Sequence, residues 1–378
     1  MISAPGRVNL IGEHIDYHGL AVLPMALRQS VRLSFQPRAD HVITAESESY
    51  GRREFEWTPG LTPVARGDWE NYLRAAAQAV AGKWGVMNGI DARIESDLPA
   101  AAGLSSSSAL LVAVTLALLR ANGREASFEE LMEILPDGEQ FVGTRGGGMD
   151  HAASLASQAG CAALIQFDPL AVRPVPIPSD WSFLVAHSLT VAEKSGAVRQ
   201  QYNACRLAGA AALQRLGFPS YRQAVEGRTP AQIQEMAARV LSEAGERAAF
   251  LHVAGEALRV RAAVRAMEQH DAATFGSLLL ASHASLRDRL RVSSAALDRL
   301  VEAAMASGAL GARLTGAGFG GCAVAFCPTP DLPALRRGLI QRYYAGLPEF
   351  DESMHLIHAE PGPGALRSMK DLNAPLHT

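Results

Sequence analysis

The amino-acid sequence predicts an α+β protein with two mixed domains. Apolar residues alternate at a period of two over residues 19–35, as strands do, whereas residues 196–307 are dominated by helical spacing. Strand-like runs then return beyond residue 311. A chain of 378 residues is long enough for two domains of ordinary size. The cluster Pro169, Pro174, Pro176 and Pro178 marks the expected boundary, giving domains 1–178 and 179–378.

Taken in order, residues 19–35 are rich in Leu, Val and Phe and are expected to enter a sheet, with a further pair of short strands within 41–57. Asn71 to Gly82 has helical spacing and alanine-rich propensity. Ile90 to Glu95 reads as a strand that leads through Asp97-Leu98-Pro99 into a loop of small residues. The run from Ser106 to Ala121 is apolar on all sides; it falls short of the ~20 residues a membrane span requires and reads as a buried core helix. A helix near Phe128 to Ile134 precedes a glycine-rich loop at Gly143 to Gly148, a helix resumes from Met149 to Gln158, and Cys161 to Phe167 is a strand. Beyond the prolines, Phe183 to His187 is strand-like. Helices follow at roughly 196–216, 230–243, 247–269, 273–282 and 294–307, then strands at Gly311 to Leu314, Cys322 to Cys327 and His355 to His358. There is no fixed-period repeat.

Hydrophobic residues make up 48% and charged residues 19%, a globular composition rather than a disordered one. A net charge of −3 argues against a nucleic-acid-binding face. Lysine is confined to Lys83, Lys194 and Lys370, so arginine carries nearly all the positive charge, a bias ascribed to base composition. Cys161, Cys205, Cys322 and Cys327 fit neither a zinc pattern nor a disulfide framework; reduced thiols and a cytoplasmic location are expected. The N-terminus lacks a basic stretch followed by an apolar one, so secretion is not expected.

Four segments carry chemistry. Arg7, Glu13, His14 and Asp16 lie within ten residues, on and after a strand Val8-Asn9-Leu10-Ile11. Carboxylates and an imidazole on one short turn suit the hydroxyls of a polyol, and an arginine suits a transferring phosphoryl group. The alternative is a solvated charged turn. In Pro99 to Ala109, small residues and Gly103 open a helix whose free N–H groups form an anion site, with Ser105, Ser106 and Ser107 adding donors and one hydroxyl available to Mg²⁺. The alternative is a serine N-cap on a core helix. In Gly143 to His151, glycines precede Asp150 at a helix opening, where the bland role is an acidic cap. Gly316-Ala317-Gly318-Phe319-Gly320-Gly321 fits Gly-x-Gly-x-x-Gly, but a strand-like run ended by Pro328 follows where a dinucleotide fingerprint needs a helix. A glycine-rich turn between two strands fits better, with a purely structural hairpin as its alternative.

The first segment resembles the Gly-Arg-x-Asn-Leu-Ile-Gly-Glu-His-x-Asp-Tyr signature of galactokinases within the GHMP kinase superfamily. The second resembles that superfamily's Pro-x-x-x-Gly-Leu-Ser-Ser-Ser phosphate loop, the third the Met-Asp-Gln of galactokinases and N-acetylgalactosamine kinases with His151 in place of Gln, and the fourth the superfamily's Leu-Thr-Gly-Ala-Gly-x-Gly-Gly motif. Trp69-Glu70-Asn71-Tyr72 and Ser282-His283-Ala284-Ser285-Leu286-Arg287-Asp288 also look like galactokinase segments, so the resemblance runs from residue 4 to beyond 326.

The resemblance implies a ribosomal protein S5 domain 2-like N-terminal domain, a ferredoxin-like C-terminal domain, and a monomer that phosphorylates galactose to galactose 1-phosphate with ATP and Mg²⁺. It implies Asp150 and Arg7 as the chemical pair. Arg7, Glu13, His14, Asp16, Gly148 and Asp150 would contact the sugar. Ala101, Ala102, Gly103, Leu104, Ser105, Ser106 and Ser107 would wrap the ATP phosphates. The Mg²⁺ serine maps to Ser107, and the metal-binding glutamate falls near Glu139, although many galactokinases would place it at Gly138. Counted back from Cys205, the sugar-contacting tyrosine of the family falls at Val198, with Tyr202 four residues later. Ile15, Gly146-Gly147-Gly148 and Phe167-Asp168-Pro169-Leu170 look closer to N-acetylgalactosamine kinases, which leaves that sugar as an alternative substrate. A non-catalytic, galactokinase-like sugar sensor is the alternative of another class.

Overall fold

The computed structural model describes residues 1–99, 103–143, 147–190 and 196–368. The expected alternation of strands and helices is present. Strands β1 (Ile2–Ile11), β2 (Leu23–Pro37), β3 (Val42–Ser47) and β4 (Gly51–Glu56) are followed by α1 (Glu70–Trp84), β5 (Ile90–Ser96), α2 (Ser106–Ala121), α3 (Phe128–Phe141) and α4 (Met149–Ala156). Next come β6 (Cys161–Phe167), β7 (Leu170–Pro176) and β8 (Trp181–His187), then α5 (Gly196–Arg215), α6 (Tyr221–Val225), α7 (Pro230–Val240), α8 (Ala244–Glu268), α9 (Ala272–Ser285) and α10 (Ala295–Ala306). The chain closes with β9 (Gly311–Leu314), β10 (Cys322–Pro328), α11 (Leu332–Leu339), α12 (Glu352–His355) and β11 (Leu356–His358).

One sheet has the order β1-β2-β5-β3-β4, a second β11-β8-β10-β9, and β6 and β7 form a two-stranded ribbon. In the first sheet only β3 and β5 pair in parallel. Helix α2 lies against β1, β2, α1 and α4, which explains why it is apolar all round: Leu111, Val112, Ala113, Leu116 and Leu118 are all buried. Truncating Leu111 or Leu118 to alanine is expected to cost about 2–5 kcal/mol.

Three elements differ from expectation for local reasons. Within the proline-rich stretch a strand forms that was not expected: Pro174 and Pro176 lie on β7, which pairs with β6, and an edge strand tolerates a missing N–H. Helix α3 continues through Pro136 to Phe141 because Leu131, Ile134 and Leu135 bury an apolar face that outweighs one lost hydrogen bond. Strand β1 begins at Ile2, well before Val8, and carries an irregularity between Pro5 and Arg7 that interrupts its register with β2. Bulges of this kind re-aim a side chain, and here the shift falls at Arg7, whose N–H donates to Leu104 O at 3.1 Å.

The change of sheet falls between Pro176 and Trp181. The two sheets nevertheless share one apolar core, which runs from Leu10 and Leu111 through Val253 to Phe326. The C-terminal segment returns to β2, where Gly362 N donates to Ala26 O at 2.9 Å.

Candidate active site

The site starts where β1 ends. Gly12 at φ +112° and His14 at φ +61° turn the chain sharply, and Glu13 and His14 are carried inward rather than into solvent, at 2% and 5% exposure. Glu13 accepts from Asn9 Nδ2 and, at 2.5 Å, from the Gly316 N–H, with the buried Arg313 guanidinium 3.7 Å away. Burial pushes the Glu13 carboxyl up, and Arg313 and Arg7 oppose that. Arg313 Nη1 also donates to Asn9 O and Leu10 O, each at 3.1 Å, and Thr315 Oγ1 bonds both Asn9 N and Asn9 O at 3.1 Å. The ends of β1 and β9 are thereby stitched together across the two sheets.

His14 Nε2 lies 3.1 Å from Ala317 O and so carries the proton, leaving Nδ1 to accept from Tyr17 OH at 2.9 Å. Burial lowers its pKa to about 4, so the ring is neutral. Asp16 accepts from the Gly147 N–H at 3.0 Å. Burial and the nearby Asp150 carboxylate push it up to about 7. The approach of these two loops is tight: a Cβ on Gly147 would lie 2.5 Å from the Asp16 carbonyl carbon and from Tyr17 N.

Ser105 occupies the N-cap position of α2 but does not cap it. Its backbone is left-handed at φ +59° and its hydroxyl makes no bond to its own helix. Oγ donates instead to Asp150 Oδ2 at 2.5 Å. The first N–H groups of α2 are left without a side-chain cap, as an anion site requires. Ser106 and Ser107 stand half-buried in that first turn. Leu104 is buried, Gly103 exposed, and Ala101 and Ala102 lie outside the described residues.

Asp150 likewise makes no cap. Gly148 precedes it at φ +93° as the N-cap of α4, and the carboxylate turns across the site to Arg7 Nε at 2.7 Å. Arg7 Nη1 donates to Gly103 O at 2.7 Å. Burial alone would raise the Asp150 pKa; the Arg7 charge and the Ser105 hydrogen bond override it and hold the carboxyl below its ordinary value. The Arg7 guanidinium, buried as it is, is held above its ordinary value by Asp150 and Glu13.

The third glycine bend joins β9 to antiparallel β10, as a turn between two strands should. It closes on the phosphate loop: a Cβ on Gly316 would stand 3.3 Å from Gly103 O. Thus three bends distant in sequence meet around Arg7, Glu13 and Asp150. Glu139 stands beside them on α3, where Ser108 Oγ donates to its Oε1 at 2.6 Å and His151 Nε2 lies 3.6 Å away.

Several members of the site were not singled out from sequence. Arg313, Thr315 and Ser105's bond to Asp150 depend on strands and loops that meet only in three dimensions. Tyr202, which lies four residues after the counted position Val198, has its ring 5.2 Å from that of His14 and 5.6 Å from that of Tyr17. The Tyr-Asn pair itself was the available signal.

The fold and the convergence of an anion-binding helix start with a carboxylate–guanidinium pair define a small-molecule kinase of the GHMP class. Residues 71–158 match the family described as GHMP kinases N terminal domain, residues 263–345 GHMP kinases C terminal, and residues 1–37 the galactokinase galactose-binding signature. The chain is 35% identical over 348 residues to the galactokinase of Chloroflexus aurantiacus, covering 90% of this chain and 87% of that one. It is 32% identical to the galactokinase of Actinobacillus pleuropneumoniae, covering 96% and 93%. Among solved structures, Lactococcus lactis galactokinase complexed with galactose superposes with a TM-score of 0.86 at 26% identity, covering 96% and 93%. The L. major mevalonate kinase shares the fold, with a TM-score of 0.65 at 20% identity over 96% of each chain. The chain belongs to the galactokinase family.

Proposed function

We propose that the protein transfers the γ-phosphoryl group of ATP to the anomeric hydroxyl of galactose. The observation that carries this reading is the junction Arg7–Asp150–Ser105. One carboxylate touches both the arginine of the sugar-binding turn and the first serine of the phosphate loop. A phosphoryl acceptor lying against Asp150 would face a phosphate held at the start of α2. Asp150, ionised and held low, is a modest base; its larger contribution is to orient the hydroxyl, while Arg7 offsets charge on the transferring group. Glu13, His14 and Asp16 would accept and donate hydrogen bonds at the sugar hydroxyls. Tyr202 takes the place of the aromatic residue that galactokinases use against the sugar.

The donor chemistry suits Mg²⁺. Serine hydroxyls and one carboxylate are hard oxygen ligands, and Mg²⁺ in phosphoryl-transfer sites is held by one or two carboxylates plus phosphates rather than by a full protein cage. This agrees with the lack of any cluster of three or more His, Cys, Asp or Glu able to hold a metal among the described residues. Ser107 and Glu139 would hold the ion, with Ser108 steering the carboxylate. Bound there, Mg²⁺ would offset phosphate charge. No helix among the described residues is long and apolar enough to cross a membrane; we place the enzyme in the cytoplasm.

The test is sugar-dependent ADP release across galactose, N-acetylgalactosamine and arabinose at saturating MgATP. Galactose is expected to give the highest kcat/KM. No sugar-dependent release with any of the three would overturn the reading.

A further inference from the structure

The stretch Ser282-His283-Ala284-Ser285 matches no ligand-binding loop, yet its two serines end in the same buried polar cluster. Helix α8 presents His252 and Glu256 one turn apart, both fully buried, beneath the turn that follows β1. The Glu256 carboxylate accepts from the Gly12 N–H at 3.0 Å, from Ser282 Oγ at 2.6 Å and from Arg259 Nε at 2.7 Å. His252 Nε2 donates to Glu13 O at 3.0 Å, and Ser285 Oγ donates to Nδ1 at 2.9 Å, which fixes the tautomer.

These contacts grip the backbone on both sides of Glu13. The N–H of residue 12 and the carbonyl of residue 13 point into the protein, where water cannot satisfy them. They are also the groups that set the direction of the Glu13 side chain and of the following peptide. His14 then adopts a left-handed backbone that a non-glycine residue keeps only when its surroundings impose it. Asn9 and Gly316 fix the end of the Glu13 side chain, and α8 fixes its root.

We propose that His252 and Glu256, oriented by Ser285 and Ser282, are positioning residues for the sugar half of the site: they hold Glu13 and His14 at the angle that meets the sugar hydroxyls, and they do not act on the nucleotide half. The proposal rests on the galactokinase reading. Because the phosphate loop is held to Arg7 through Gly103 O and Leu104 O, and meets Glu13 indirectly, by the packing of Gly316 on Gly103, a fault in the brace should reach the sugar first and largely spare ATP.

The experiment compares His252→Leu, which fills the space without a donor, with His252→Gln, whose amide nitrogen reaches where Nε2 does. Ser285→Ala and Glu256→Gln are run beside them, with KM for galactose and for ATP and thermal unfolding measured for each. His252→Leu is expected to raise KM for galactose tenfold or more, and Ser285→Ala and Glu256→Gln, whose remaining oxygen can still accept from the Gly12 N–H, about threefold. KM for ATP should stay within twofold, and His252→Gln should recover most of the loss. Galactose and ATP constants that move together, or a His252→Gln no better than His252→Leu, would show a merely structural role and overturn the inference. If His252→Leu does not fold, Ser285→Ala and Glu256→Gln decide by the same split. A parental protein without galactose-dependent turnover would overturn the galactokinase reading itself; parental turnover with unchanged variants overturns only the brace.

Discussion

Arg7 and Asp150, 143 residues apart in sequence, share a hydrogen-bonded ion pair at 2.7 Å in which the arginine is 7% and the aspartate 25% exposed at the side chain. The more open partner is the one that would meet the acceptor hydroxyl. Replacing Asp150 by Asn keeps the shape, with one amide oxygen left for Arg7 and the amide N–H donating to Ser105 Oγ, but removes the charge that orients the hydroxyl. Turnover in a coupled ADP assay is expected to fall about 10³-fold, in the range of a lost acid–base group. Circular dichroism should show the fold retained, because Asn can still accept from Arg7. Near-normal turnover would remove Asp150 from the chemistry.

A second prediction concerns Asp16. Its carboxyl is raised from 3.8 to about 7, first by burial and then by Asp150. A raised carboxyl means that the native state holds a proton which the unfolded chain has released. Its contribution to stability is therefore complete below the unfolded value and lost as pH rises through about 7. Asp16→Asn should flatten the decline in urea-unfolding stability across that interval. The ionised form is the better acceptor for sugar hydroxyls, so kcat/KM for the sugar should rise through the same pH in the parental enzyme and lose that step in the variant. Parallel pH profiles for the two proteins would refute both parts.

How far the sequence reached is clear from particular residues. Helix α2 and strands β6 and β9 were legible to the residue, because each is a local apolar pattern closed by a glycine, proline or serine. Arg7, Glu13, His14, Asp16 and Asp150 were named from motifs, and the fold gathers them. What local pattern could not show is which partner each group takes. A serine ahead of a helix reads as a cap, yet Ser105 serves Asp150 instead. Arg313 looks like any strand arginine, although it is fully buried against the carbonyls of β1. Ser107 and Glu139 were named together as metal ligands from the resemblance; that Ser108 Oγ donates to the Glu139 carboxylate is a register decided by how α2 and α3 are rotated against each other.

Gly147 supplies a third prediction, since its neighbourhood is backbone that cannot step aside. Gly147→Ala would drive a methyl into the Asp16–Tyr17 peptide at 2.5 Å. Overpacking of this sort typically costs about 1–3 kcal/mol. The displaced group is the Asp16 carboxylate, so the kinetic effect should fall on the sugar: KM for galactose is expected to rise at least tenfold, with KM for ATP little changed. Equal effects on both substrates would mean that the contact is structural only.

Tyr202 gives the last prediction, and it separates counting from geometry. Its ring packs against those of His14 and Tyr17, and burial first, then the charges of Asp16 and Asp150, push the phenol well above its ordinary value. The phenol is therefore neutral at any working pH and can offer its O–H as a donor. A ring that packs on the sugar contributes through its face, so Tyr202→Phe should retain most of the affinity, with KM for galactose up about threefold for the lost donor. Tyr202→Ala removes the face as well and should raise KM for galactose by a further tenfold or more. Val198 lies a turn earlier on α5, and no ring or hydrogen-bonding group of its own serves the site. Val198→Ala should leave both KM values within twofold. If that variant instead lost galactose while Tyr202→Ala did not, the sugar would be lying against the earlier turn of α5, and the aromatic cluster around His14 would be packing alone.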